Sequence, residues 1–108
     1  MTPRMAWTTL VLAGLLEAVW AVGLKSTEGF TKPLHSLVVG TAIVASMVLL
    51  AQAARSIPIG TAYAVWVGVG VFGAVMLETA IYGVALSIPR FFFLALLLLA
   101  IGGLKVTS

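Results

Sequence analysis

Four long apolar runs separated by short polar breaks account for nearly the whole chain. The first extends from about Ala6 to Leu24 and is closed by the segment KSTEGFTKP. The second runs from Leu34 to Ala54 and ends at RSIPIG, where Pro58 and Gly60 break the pattern. The third starts near Ile59 and reaches at least Leu77, toward Tyr82, and the fourth runs from about Pro89 to Leu104. A hydrocarbon core about 30 Å thick is crossed by about 20 apolar residues in helical form. The pattern therefore predicts an all-α membrane protein with helices at about 6–24, 34–54, 59–82 and 89–104. Residues 1–108 form one four-helix unit with no long linker and no obvious repeat. The fourth span is short for the task, so Arg90 and Lys105 are expected to snorkel toward the two interfaces.

Composition agrees with this picture. Of 108 residues, 62% are hydrophobic and only 8% charged, with a mean hydropathy of +1.21, far from the roughly 25% charged content of a soluble domain. The net charge of +3 is scattered and contains no basic run, so nucleic acid is not an expected partner. Glu17 and Trp20 inside the first run argue against a cleaved signal peptide, and the run is expected to be retained. There is no cysteine, and the single histidine, His35, has no aspartate or cysteine to join it. Neither a nucleophile with its base nor a metal cluster can be assembled, so an enzyme is not expected, and no cofactor or metal either.

Charge placement bears on assembly. With four spans, Arg4, Arg55 and Lys105 fall on one side of the membrane and Lys25, Lys32 and Arg90 on the other. Lys/Arg asymmetry fixes orientation, and here the two sides balance, so the chain can insert either way up. Four short helices also leave little room to surround a solute path. Two copies in opposite orientations would supply the inverted repeat of larger transporters, with a site near the midplane. The expected unit is an antiparallel, dual-topology homodimer in the lipid bilayer.

The candidate site begins with Glu17, in the middle of AGLLEAVWAVGLK with no basic neighbour. A charge at the bilayer centre costs roughly 2.5 to 3.5 kcal/mol, so such residues usually face a cavity and mark a solute path. Gly14, Glu17 and Trp20 lie three apart and share a helical face that offers a carboxylate, an aromatic wall and room beside them. An organic cation fits that description. A carboxylate in hydrocarbon is satisfied by a proton or by a cation, so the two compete for the same oxygens, which is a coupling mechanism. Tyr63 and Trp66, also three apart, give the third helix a matching face. Gly68 and Gly70 make that helix easy to bend. Ser46, a hydroxyl deep in the second run, either lines this pocket or satisfies a backbone carbonyl. Gly102 and Gly103 permit close backbone approach in the fourth helix and are assigned to dimer packing.

These residues resemble the small multidrug resistance transporters, and more narrowly their guanidinium exporter subtype. The resemblance is carried by GLLEAVWAVGLKSTEGFTKP, by PIGTAYAVWVGVGVFGAV and by the terminal GLKVTS. The family's essential glutamate falls on Glu17, the subtype's tryptophan on Trp20, its binding-site serine on Ser46, and its tyrosine and tryptophan on Tyr63 and Trp66. The resemblance implies an antiparallel homodimer that exchanges protons for guanidinium and small guanidinyl cations in a bacterial inner membrane. A planar, donor-rich cation also pairs bidentately with carboxylates, which favours guanidinium over bulky quaternary ammonium. The alternatives are a quaternary ammonium or polyaromatic cation exporter of the same family, or one subunit of a heteromeric pair. One stretch departs from the family: IYGVALSIPR places Val84 and Ala85 where a Glu-Pro pair usually stands, while Glu78 appears earlier, where a small or apolar residue is usual. Glu78 reads as a helix-end group reaching the headgroups rather than as a second proton site.

Overall fold

The computed structural model describes residues 2–107. Four helices follow one another: α1 Pro3–Gly23, α2 Pro33–Ala53, α3 Ile59–Tyr82 and α4 Ile88–Thr107. Each is long and apolar enough to cross a membrane. At 1.5 Å per residue, even the 20-residue α4 spans about 30 Å.

The polar breaks shape the helix ends. Thr2 caps α1 by accepting from the Met5 amide at 3.2 Å, and Pro3, which has no amide hydrogen to leave unpaired, starts the helix. This places the start three residues ahead of the sequence expectation. A single 3₁₀ turn, Leu24–Thr27, continues α1. Buried Thr27 then fixes the loop: its hydroxyl donates to the Leu24 carbonyl at 2.7 Å and accepts from the Phe30 amide at 3.1 Å. The left-handed backbone of Glu28, Gly29 and Phe30 (φ +49°, +73° and +66°) turns the chain back into α2, which opens on Pro33. α3 ends on Gly83 in the left-handed conformation, φ +67°, which costs a glycine little. α4 outruns its expected end by three residues, and Thr107 closes it by donating to the Gly103 carbonyl at 2.8 Å. It is therefore not a short span.

α1 is the hub. It packs against both α2 and α3, whereas α4 lies against α3. Ala6, Leu10 and Ala13 of α1 form the core with Leu50 and Ala53 of α2, Ile57 of the loop, and Ala62, Val65 and Trp66 of α3. Small residues set the spacing of the α1–α3 crossing. A methyl group at Gly14 would lie 2.7 Å from the Val69 Cβ, and one at Gly73 2.7 Å from the Ala18 Cβ. Without lipid-phase hydrophobic drive, such close contact is what holds membrane helices together. The result is a slab, 40 × 35 × 17 Å, with long apolar rows exposed on α2 and α4, including Leu37, Val44, Phe92 and Leu99.

Candidate functional site

Glu17 points from α1 onto the backbone of α3 at Gly70. A Cβ at position 70 would meet the Glu17 Cδ at 2.6 Å and its two oxygens at 2.8 and 2.9 Å. Only a glycine leaves this seat open. The Glu17 Oε2 atom is buried with no hydrogen-bond partner among the described residues, and no basic side chain pairs with the carboxylate. One turn along α1, the Trp20 indole nitrogen is likewise buried without a partner among the described residues. An acceptor and a donor, each costly to leave unsatisfied, are thus held at neighbouring positions on one helix.

A second cluster lies about one turn away, where α2 meets α1 and α3. Ser46 of α2, fully buried, donates to the Ala13 carbonyl at 2.7 Å and accepts from the Trp66 indole nitrogen at 3.0 Å. The Trp66 ring is 8% exposed, and the Tyr63 ring stands 5.8 Å from it at 52°. Tyr63 itself is 57% exposed, on a face that this chain leaves uncovered. The sequence left Ser46 between lining the pocket and satisfying a backbone carbonyl; the fully buried hydroxyl satisfies a carbonyl of α1 and accepts from an aromatic ring of α3.

Gly14 falls differently from its sequence reading, and Gly68 and Gly70 sit in contacts that the spacing did not show. Gly14 offers no free room, because Val69 and the Trp66 carbonyl occupy the space beside it. Gly68 faces α4, packed under Ile101 and Leu97, and Gly70 is the seat of the carboxylate. α3 runs unbroken through both. Gly102 and Gly103 are exposed, and a methyl group on either would touch nothing within 4 Å. The roles of Gly70 and of the Ala13 carbonyl were not foreseen. A signal for the former existed: Gly14 and Ala18 are four apart on α1, Gly70 and Gly73 three apart on α3, the spacing of two facing small-residue seams.

Glu78 belongs to neither cluster. Near the end of α3 its oxygens lie 3.9 Å from Arg90 Nη2 and 4.0 Å from Lys25 Nζ, and Lys25 also sits 4.9 Å above the Tyr82 ring. It joins the ends of three elements at the edge of the bundle.

Four apolar helices, one of them carrying a partly buried carboxylate with no counter-charge among the described residues, define a small multi-pass membrane protein. The family model described as Small Multidrug Resistance protein matches residues 5–97. The chain is similar to a protein named Guanidinium exporter from Escherichia coli (strain K12), 49% identical over 104 residues, covering 96% of this chain and 99% of that one. Proteins of the same name from Yersinia pseudotuberculosis serotype I and Salmonella typhimurium are 47% and 45% identical over 104 residues, covering 96% of this chain and 100% and 99% of theirs. The chain belongs to the Small Multidrug Resistance family of transporters and is a multi-pass protein of the bacterial inner membrane.

Proposed function

We propose that this protein exports guanidinium and small guanidinyl cations in exchange for protons, with both competing for Glu17 in an antiparallel pair of chains. The observation that carries the reading is the Glu17 carboxylate seated on Gly70, buried in part and unpaired among the described residues. Relatives named for guanidinium export, nearly half identical over almost their full length, support the choice of cation.

The chemistry follows from the groups present. A carboxylate offers two parallel acceptor oxygens and guanidinium a planar fork of donors, so the pair forms two charge-assisted hydrogen bonds at once. The Trp66 ring, held by Ser46, and the Tyr63 ring form an aromatic wall to which a flat cation can stack. A slab 17 Å thick cannot enclose that cation alone, and the exposure of Tyr63 supports a chamber closed by a second chain. With an inverted partner, two Glu17 carboxylates share the chamber. When the cation enters they release their protons to solvent, and when protons return the cation leaves on the other side. Both ligands need the same carboxylates, so binding is exclusive, which is the condition for exchange rather than leak.

The test is transport in proteoliposomes. Guanidinium applied on one side should drive protons the opposite way in the wild-type protein, and Glu17→Gln should abolish the flux. Equal flux in the two would overturn the reading. Flux driven by large aromatic cations alone would move the protein to the polyaromatic-cation exporters of its family, and flux restored only by a second, different chain would make it half of a heteromeric pair.

A further inference from the structure

The two ends of the bundle carry the same number of basic side chains but not of acidic ones. At the end holding the 3₁₀ turn, Lys25 and Arg90 flank Glu78, and Lys32 lies 3.9 Å from Glu28. At the opposite end stand Arg4, Arg55 and Lys105, and the three acidic side chains are all elsewhere, Glu17 at mid-membrane and the other two in those pairs. Among the described residues this second end is therefore a cationic rim with no acidic side chain, at the depth of the lipid headgroups.

A groove of about 620 Å³ opens on that rim. It exists because α4 leans on α3 while α1 packs against α2 and α3, so α1 and α4 stand apart over the surface of α3. Val65 and Val69 form its floor, Val11 its α1 wall and Ile101 its α4 wall, where Gly102 contributes no side chain. Arg4 in the first turn of α1 and Lys105 in the last turn of α4 line the same groove, with Lys105 Nζ 5.6 Å above the Trp7 ring. An apolar trough that ends between two basic groups is the shape of one amphiphile, a chain with an anion at its head.

We propose that this groove binds an anionic phospholipid, an acyl chain lying along Val65, Val69 and Ile101 and the phosphate held between Arg4 and Lys105. A second copy of the protein is the poorer occupant. A helix laid there would bury two cations, and the chain's carboxylates outside the site are already paired with Lys25, Lys32 and Arg90. The row Phe92, Leu96, Leu99 and Gly103 on α4, spaced four, three and four apart, lies away from the residues that meet α3 and leaves a separate face for such contact. A basic pocket between membrane helices has the same logic wherever it holds an acidic headgroup. The site is independent of Glu17 and of the transported cation.

The experiment is native mass spectrometry of the intact protein released from vesicles of phosphatidylcholine and phosphatidylglycerol mixed at about three to one. The wild type should retain phosphatidylglycerol over phosphatidylcholine. Arg4→Gln and Lys105→Gln should each cut that retention about fivefold, the worth of one cation beside an acidic lipid. Lys105→Arg should preserve it. Gly102→Leu, which has space for its side chain in the groove, should lower it without changing any charge. Arg55→Gln, on the same rim but outside the groove, should leave it intact. Equal losses in Arg55→Gln and Lys105→Gln would reduce the effect to general surface charge and overturn the proposal. So would full retention in Gly102→Leu, displacement of the lipid by excess glycerol phosphate, or a Gly102→Leu protein that loses its dimer rather than its lipid.

Discussion

The Trp66 indole donates to the Ser46 hydroxyl at 3.0 Å while that hydroxyl donates to the Ala13 carbonyl, so one buried atom ties three helices together beside the candidate site. Removing it leaves a buried indole N–H and a carbonyl unpaired, and Ser46→Ala is expected to lower stability by about 1 to 3 kcal/mol. Trp66→Phe removes the orphaned donor, so Ser46→Ala and Trp66→Phe together should cost less than the sum of the two alone. Unfolding in detergent, with and without guanidinium, measures both. Strict additivity would mean that the pair is not coupled.

Gly70→Ala places a methyl group where the Glu17 carboxyl now lies, at 2.6 to 2.9 Å. The carboxyl must move, and guanidinium affinity is expected to fall tenfold or more, about 1.4 kcal/mol. Helix content, read by circular dichroism, should persist, since alanine favours the helix. The shorter side chain of Glu17→Asp, added to Gly70→Ala, should recover part of the lost affinity. Gly60→Ala, whose methyl group meets nothing within 4 Å, should leave affinity unchanged.

Glu78→Gln separates a helix-end ion pair from a second proton site. Its partners stand at 3.9 and 4.0 Å and are 39% and 60% exposed, so the stability change should be within about 1 kcal/mol. The number of protons exchanged per guanidinium should be unaltered, as counted from the flux ratio at a known pH gradient. A changed ratio would give Glu78 a share in coupling.

Dual insertion can be read directly because the chain has no cysteine. A single Ser56→Cys variant, exposed in the loop between α2 and α3, should be labelled about half from each side of the membrane by an impermeant thiol reagent. Labelling from one side alone would remove the symmetric antiparallel dimer.

Much of this molecule was legible in its sequence because the bilayer imposes a coarse rule: apolar runs of the right length become helices and their breaks become turns. Glu17 announced itself by being expensive where it stands. What the sequence could not give was which space beside a glycine is filled. Gly14 read as room next to the carboxylate and is occupied by Val69, while Gly70 read as a hinge and is the carboxyl's seat. Both depend on the register of α1 against α3, a tertiary fact that spacing within one helix does not contain. The start of α1 was missed for a local reason, since the Thr2 cap and Pro3 lie ahead of the apolar run that signals the helix. Ser46 stayed undecided because its acceptor is a backbone carbonyl, and every residue carries one.

The central claim is that a proton and guanidinium occupy Glu17 in turn, and equilibrium binding across a range of pH tests it most directly. Where Glu17 is protonated in the unbound protein, each proton that must leave weakens apparent affinity tenfold per pH unit of acidification, so the slope should lie between about tenfold and a hundredfold for one or two protons. At higher pH the affinity should level off. Glu17→Gln should bind weakly and without slope. A wild-type affinity that is flat across the range, or a Glu17→Gln protein that keeps the slope, would contradict the account.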